Sequence, residues 1–124
     1  MDPIRTAKQL QNLSKRREQV SITLRHIEKE RNEAEQNTEW LDQAAYQSRI
    51  ALLDRLSEWY IKEIDEIDKA FDRVKQNKYG LCLACHNPIE AYRLDFFPEV
   101  AFCSACQTTR EALQTFKASS VPRL

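Results

Sequence analysis

Residues 10–34 read LQNLSKRREQVSITLRHIEKERNEA, and this stretch decides the fold because its apolar side chains recur in steps of three and four. Such spacing places them along one face of a helix, as in the heptad seam of a coiled coil. Charged residues fill the other faces, as a solvated arm requires. The pattern predicts a first helix from about residue 4 to residue 37. Its seam positions are Leu10, Leu13, Arg17, Val20, Leu24, Ile27, Arg31 and Ala34, with arginine at two of them.

A second apolar rhythm follows and predicts a helix from about residue 40 to residue 77. Ser57 interrupts this rhythm, whereas Leu52, Leu56 and Trp59 widen the apolar face beyond a two-position seam. Two helices of about 35 residues with a short connection predict an antiparallel hairpin on the order of 50 Å long. The residues that keep the rhythm are Leu53, Tyr60, Ile64, Ile67, Phe71 and Val74.

Both ends of the second helix carry local signals. Thr38 is the expected N-cap, and the acids Glu39 and Asp42 suit the start of a helix electrostatically. Gly80 is expected to serve as a C-cap or a turn glycine after the helix ends.

The composition agrees with long helices and narrows the classes of function. The chain has 124 residues, a single glycine, and 19 basic residues that balance 19 acidic ones. A general nucleic-acid binder shows a basic excess instead, so no specific DNA binding is expected. The N-terminus lacks the apolar core of a signal peptide, and no run reaches the ~20 apolar residues of a membrane helix. We therefore expect a cytoplasmic protein, monomeric and without a membrane partner.

The four cysteines follow the pattern Cys82-x2-Cys85-x17-Cys103-x2-Cys106. Each C-x2-C places two thiolates on one tight turn, and the spacer brings the second turn back to complete a tetrahedron. Four cysteine ligands without an open position are the donor set of a structural Zn²⁺ site. In a reducing cytosol, such cysteines are metal ligands more often than disulfides. We predict one structural zinc ion that supplies much of the folding energy of this small module.

Other interpretations of the cysteines remain open. The run from Cys82 to His86 also matches C-x2-C-H, a c-type haem attachment pattern, which would leave the second pair without a role. A dithiol redox pair normally belongs to a thioredoxin-like βαβ unit, which the sequence does not suggest. His86 is expected to be a turn residue beside the metal, although histidine can replace cysteine as a zinc ligand.

The complete pattern predicts a mainly α fold: a long antiparallel coiled-coil hairpin, a small four-cysteine zinc finger and a C-terminal helix. The hairpin is assigned to residues 1–78, with its tip near residues 37–44, and the finger module to residues 79–124. The last helix is expected at about residues 104–117, with Leu113 and Phe116 as its apolar contacts. Six apolar residues are expected to pack around the metal: Ile89, Tyr92, Leu94, Phe96, Phe97 and Phe102.

The finger resembles that of the DksA/TraR family of bacterial proteins, which bind RNA polymerase. The residues that carry the resemblance are Tyr79-Gly80-x-Cys82-x2-Cys85, Pro88-Ile89, Tyr92-Arg93-Leu94, Pro98 and Cys103-x2-Cys106-Gln107. Longer family members place this finger at the base of a coiled-coil hairpin whose tip carries a D-x-x-D-x-A motif. Residues 39–44, EWLDQA, are similar to that motif, with glutamate in place of the first aspartate.

The resemblance implies a regulator of transcription initiation whose hairpin enters the secondary channel of RNA polymerase. The tip then lies near the catalytic Mg²⁺ and changes the lifetime of promoter complexes. On this basis Asp42 is the expected tip contact, Ala44 allows close approach and Glu39 supports it. Without the resemblance, Glu39 and Asp42 would be interpreted as residues that stabilise a helix N-terminus.

Family members often act together with the alarmone ppGpp, and this chain departs from them there. The basic residues that the family offers to ppGpp correspond to Glu66, Phe97 and Gln107. A highly charged anion prefers lysine or arginine, so we expect ppGpp to be a poor partner, with nearby Lys62, Lys69 and Arg93 compensating only in part. His86 also stands where the family usually has glycine.

Three other functions remain alternatives: a Gre-like transcript-cleavage factor, a zinc-finger nucleic-acid binder and a coiled-coil interaction module. The four-cysteine finger disfavours the first, because Gre-like factors lack one. No catalytic or cofactor-binding constellation is found, since only His26 and His86 accompany cysteines that are assigned to metal. We therefore predict a non-enzyme.

Overall fold

The computed structural model describes residues 3–36 and 42–119, and within them the chain is a helical hairpin with a small module at its base. Helix α1 spans Pro3–Gln36 and helix α2 spans Gln43–Lys75. At 1.5 Å per residue each is about 50 Å long. Two shorter helices follow, α3 over Ala91–Phe96 and α4 over Ser104–Ser119. The described part contains no β-strand, only a single bridge between Leu81 and Pro88. The predicted fold class is confirmed.

The seam of α1 is narrower than its sequence suggests. One residue in each heptad is buried, and these are Leu13, Val20, Ile27 and Ala34. Leu10 and Leu24, at the alternate seam positions, are only partly buried. On α2 the buried apolar residues are Leu53, Ile67 and Ala70, so a thin apolar strip holds the long arm together.

The two arginines of the seam reach across the hairpin to acidic residues of α2. The Arg17 guanidinium donates from Nε to Asp68 Oδ1 at 2.8 Å, and that of Arg31 donates from Nε to Asp54 Oδ1 at 2.6 Å. The two pairs step by two heptads along each helix in opposite directions, which is the signature of antiparallel packing. Pairs this exposed add little stability, but they favour one register of the hairpin over its neighbours.

The start of α2 differs from the sequence expectation. The helix begins at Gln43, and Asp42 is its N-cap, with Oδ1 accepting a hydrogen bond from the Ala45 amide at 2.8 Å. Aspartate is among the best N-cap residues. Thr38, which was expected to cap this helix, lies outside the described residues.

The end of α2 is set by Asn77 rather than by Gly80. Asn77 has a φ of 58°, its amide donates to the Val74 carbonyl, and the Lys78 amide donates to the Arg73 carbonyl. This pair of bonds is a Schellman motif with asparagine in the left-handed position. Gly80, with a φ of 85°, serves in the turn that follows.

The finger and the base of the hairpin share one apolar core. Tyr79 joins them: its hydroxyl donates to the Pro98 carbonyl at 2.8 Å and lies 3.3 Å from Gln9 Oε1. Burial raises the pKa of the Tyr79 phenol well above its ordinary value. The core members are Leu13, Val20, Ile67, Ala70, Tyr79, Cys82, Ile89 and Leu94. The metal module is therefore packed against the arm and not merely tethered to it.

Part of the expected packing around the metal is wrong. Ile89 and Leu94 are buried, but Tyr92, Phe96 and Phe97 are more than half exposed. The sequence did not predict the short helix α3, on which Tyr92 and Phe96 face outward, and Phe97 follows as its C-cap. Leu113 on α4 is also exposed, and the Phe116 side chain lies outside the described residues.

None of the described helices contains a stretch long and apolar enough to cross a membrane.

Removing the Tyr79 hydroxyl tests the junction between arm and finger. We expect Tyr79→Phe to lower the free energy of unfolding of the metal-loaded protein by about 1–3 kcal/mol, because it leaves buried acceptors without their donor. Urea denaturation followed by circular dichroism measures this change. The matched control is Tyr92→Phe, an exposed tyrosine, which should change stability by less than about 0.5 kcal/mol. Equal effects of the two variants would contradict the proposed contribution of the hydroxyl.

Candidate metal centre and hairpin tip

The first cysteine pair lies in a tight loop closed by its own backbone. The Cys82 amide donates to the Asn87 carbonyl, and the His86 amide donates to the Cys82 carbonyl, both at 2.9 Å. The Ile89 amide then reaches the Gly80 carbonyl at 2.8 Å. His86 adopts a φ of 62°, a conformation in which histidine is tolerated better than most residues. This explains how His86 can occupy a position where the DksA/TraR family, which the finger resembles, usually has glycine.

The second cysteine pair opens helix α4 and is held by Glu90. The Ser104 amide and hydroxyl both donate to the Glu90 carboxylate, the hydroxyl at 2.6 Å. These bonds lower the pKa of Glu90, so its contribution is present at neutral pH and is lost as pH falls through that lowered pKa. Two links fix the segment before Cys103: the Leu83 amide donates to the Ala101 carbonyl at 2.9 Å, and Arg93 donates to the Phe102 carbonyl at 3.3 Å.

These supports bring the four predicted ligands together. The Sγ atoms of Cys82, Cys85, Cys103 and Cys106 all lie within 4.8 Å of one another. The Cys85 and Cys103 sulfurs are 3.8 Å apart, far beyond the length of a disulfide bond. The edge of a tetrahedron with Zn–S bonds of about 2.3 Å is about 3.8 Å. The donor set and its spacing therefore fit a tetrahedral metal ion.

The electrostatics of the cluster point the same way. Burial alone would raise the pKa of the Cys82 thiol, but hydrogen bonds from the Cys103, Cys85 and Ala84 amides outweigh it and lower the pKa to about 6. Hydrogen bonds with Cys103 and Cys82 raise the pKa of Cys106 to about 12. The amide donors favour the thiolate form of Cys82, whereas the neighbouring cysteines oppose the thiolate form of Cys106. A bound cation is what allows all four to ionise.

His86 is not among the residues that converge on this point. It is exposed in the turn after Cys85, and the described metal-binding group consists of the four cysteines.

At the far end of the hairpin, the tip residues are only partly described. Asp42 and Ala44 are both exposed at the start of α2, whereas Glu39 lies outside the described residues. The Asp42 carboxylate is not free to rotate, because Oδ1 caps the helix. The cap and the expected partner contact therefore use the same side chain.

A third feature is an open cleft between α2 and the finger. It collects all three residues that correspond to the alarmone-binding positions of the resembling family, Glu66, Phe97 and Gln107. Glu63 and Glu99 line the same cleft. The sequence assigned neither of these two acids to a site, because they become neighbours only when α2 packs against the finger.

Comparison with known proteins agrees with this architecture. No protein-family model matches the chain. An uncharacterized protein of Aquifex aeolicus (strain VF5) is 30% identical over 95 residues, which cover 72% of this chain and 66% of the relative, just under two thirds of its length. Among solved structures, the transcription factor DksA2 from Pseudomonas aeruginosa matches with a TM-score of 0.81. The chain has the DksA2 fold. The match covers 92% of this chain and 88% of DksA2 at 23% identity, so the fold that the resemblance implied is confirmed.

Glu90 offers a test of how the metal centre is supported. We expect Glu90→Ala to weaken zinc affinity by about tenfold, because residues that orient metal ligands carry effects of this size. Competition with a chromophoric chelator measures the affinity. Asp95→Ala, which removes an exposed carboxylate from helix α3, is the control and should leave the affinity unchanged. If the two variants bind zinc equally well, Glu90 does not position the second cysteine pair.

Proposed function

We propose that the chain is a member of the DksA/TraR family and a non-enzymatic regulator of transcription initiation that binds RNA polymerase. In this proposal the hairpin enters the secondary channel and brings Asp42 near the catalytic Mg²⁺. The observation that carries the proposal is the placement of an exposed carboxylate at the tip of a rigid arm about 50 Å long, on a chain with the DksA2 fold. Such an arm delivers one charge into a narrow cavity without docking of the whole protein.

Zinc is the metal that we propose for the four-cysteine site. Four thiolates at tetrahedral spacing form the donor set that Zn²⁺ prefers, and a closed site of this kind is structural. When bound, zinc supplies the positive charge that holds the base of the hairpin together. Cytoplasmic localisation follows from the proposed partner and from the reduced state that thiolate ligands require.

Exposed apolar side chains on α2 support a role in binding a protein. Leu52, Leu56 and Trp59 follow one another at helical spacing, and each is 38–52% exposed. Trp59 packs edge-on against Tyr60, with ring centroids 4.9 Å apart, which holds the indole in place on the surface. In our proposal this stripe contacts the wall of the channel.

We propose that regulation by this chain does not depend on ppGpp. The cleft formed by Glu66, Phe97 and Gln107 also contains Glu63 and Glu99, and these acids repel a polyphosphate. Arg93 lines the cleft, but it is engaged with Glu90 and with the Phe102 carbonyl.

The tip is tested by Asp42→Asn, because asparagine caps a helix about as well as aspartate while removing the charge. We expect this variant to bind core polymerase within about twofold of wild type, since the cap and the fold are kept, and to lose its effect on promoter-complex lifetime. Pull-down and initiation assays measure the two properties. Wild-type behaviour of Asp42→Asn would show that the tip mechanism is wrong.

A matched control distinguishes an effect specific to Asp42 from a general effect of removing one negative charge. Glu33→Gln neutralises an exposed acid near the tip end of α1 and should retain full activity. Loss of activity in both variants would indicate a general charge effect instead. Incubation with a backtracked elongation complex tests the Gre-like alternative, which predicts shortened RNA.

Removal of the metal tests the structural role of the site. We expect one zinc ion per chain, and its removal by a strong chelator should expose residues 79–106 to proteolysis and abolish polymerase binding, because metal binding and folding are coupled in small modules. Re-addition of zinc should restore both properties. Protease resistance and polymerase binding that survive demonstrated metal loss would contradict the role assigned to the site.

A further inference from the structure

The tip end of the hairpin is held by little apolar packing. Among the described residues of α2, none before Leu53 is buried. On the tip half of α1 the buried residues are Ile27 and Ala34, and alanine buries only one methyl group. Asp42 lies 11 positions before Leu53, which is about 16 Å along a helix. Packing alone therefore fixes only weakly the segment that carries Asp42.

One arginine supplies part of what the packing lacks. The Arg31 guanidinium donates from Nε to Asp54 Oδ1 on α2 and from Nη1 to Glu35 Oε1 in the last turn of α1, both at 2.6 Å. These distances are short even for hydrogen bonds between charged groups. Arginine can engage two carboxylates at once because its planar fork carries five donors. A single side chain thereby ties the last turn of α1 to α2.

A second contact lies on the other side of α2. Glu30, the residue before Arg31, has its Oε2 atom 3.8 Å from Arg49 Nη2. Arg49 and Asp54 are separated by about 140° around the helix, so α1 contacts α2 on two sides with opposite charges. A rotation of α2 that carries Asp54 toward Glu30 brings like charges together. The tip clamp is the name used below for Glu30, Arg31, Glu35, Arg49 and Asp54.

The cross-helix pair near the base has different surroundings. Arg17 Nε donates to Asp68 Oδ1 at 2.8 Å, but Ile67 and Ala70, which flank Asp68, are fully buried. Within the described part of the chain Arg17 contacts one carboxylate, whereas Arg31 contacts two. An isolated exposed pair adds little to stability, and a network of charges adds more. The Arg17 pair is therefore backed by the core, whereas the tip clamp acts where apolar packing is thin.

We propose that Arg31 is a positioning residue for Asp42. This inference rests on the proposed function, in which the Asp42 carboxylate acts near the catalytic Mg²⁺. Arg31 holds α2 at Asp54, and about three helical turns carry that position to Asp42. Misplacement by about 1 Å of a group that acts at a reactive centre can cost about 100-fold. The tip clamp therefore affects what the bound arm does without itself contacting the polymerase.

The first test uses the isolated, zinc-loaded chain and measures hydrogen–deuterium exchange. We expect Arg31→Gln to raise the exchange rates of the amides of residues 46–52 about two- to fivefold, because this segment opens more often without the tip clamp. Arg17→Gln is the matched control, since it removes the same kind of pair near the base, and it should leave these rates unchanged. Identical rates in wild type and Arg31→Gln would show that Arg31 does not hold the tip.

The second test measures promoter-complex lifetime with saturating protein. We expect Arg31→Gln to bind core polymerase as tightly as wild type but to lose at least about threefold of the effect on lifetime, while Arg17→Gln keeps the full effect. The double variant Arg31→Asp with Asp54→Arg places opposite charges face to face again. It should recover most of the effect and the slower amide exchange, whereas Arg31→Asp alone should not.

Three results of the second test would overturn the positioning role. These are a full effect in Arg31→Gln, an equal loss in Arg17→Gln, and no recovery in the double variant when circular dichroism shows it to be folded. Failure of the polymerase proposal gives a different result, because wild-type protein then leaves promoter complexes unchanged. In that case hydrogen exchange still decides whether Arg31 holds the segment that carries Asp42.

Discussion

The base of the fold depends on four cysteine sulfurs that lie within 4.8 Å of one another. Such a cluster ionises fully only around a cation, so a metal ion bound here would couple its own binding to closure of the finger. The consequence extends beyond the site, because Cys82 is fully buried in the same apolar core as Leu13 and Ile67 of the hairpin. A metal that fixes Cys82 thereby also fixes the crossing of α1 and α2 at their base.

The arm above this base is held by much less. Its apolar seam is one residue wide per heptad on α1, and the cross-helix arginine pairs are exposed. A thin seam aligns the two helices while using few apolar residues. The ion pairs oppose a shift of register, which would bring like charges together. The arm is therefore anchored mainly at its base, where Tyr79 is the buried link between finger and arm.

The sequence allowed the hairpin, the clustering of the four cysteines and the C-terminal helix to be predicted, because each rests on periodicity or spacing along the chain. It did not allow prediction of contacts that join distant segments. Glu90 lies 14 positions before Ser104, and nothing in the local pattern assigns it to that helix start. The outward-facing Tyr92, Phe96 and Phe97 were misplaced because apolar character was taken as burial, whereas the short α3 buries only Leu94. For the start of α4, the sequence offered one signal: Ser104 follows Cys103, and serine is common at helix N-termini.

Asp42 shows why a capping role and a partner contact do not compete. A carboxylate that caps a helix has its orientation fixed by a backbone amide, here that of Ala45, so less side-chain entropy is lost when a partner engages it. At the other end of the arm, the Glu99 carboxylate is buried and lies 3.6 Å from the Arg16 guanidinium. The arm therefore carries an oriented, exposed carboxylate near its tip and an enclosed, ion-paired carboxylate at its base.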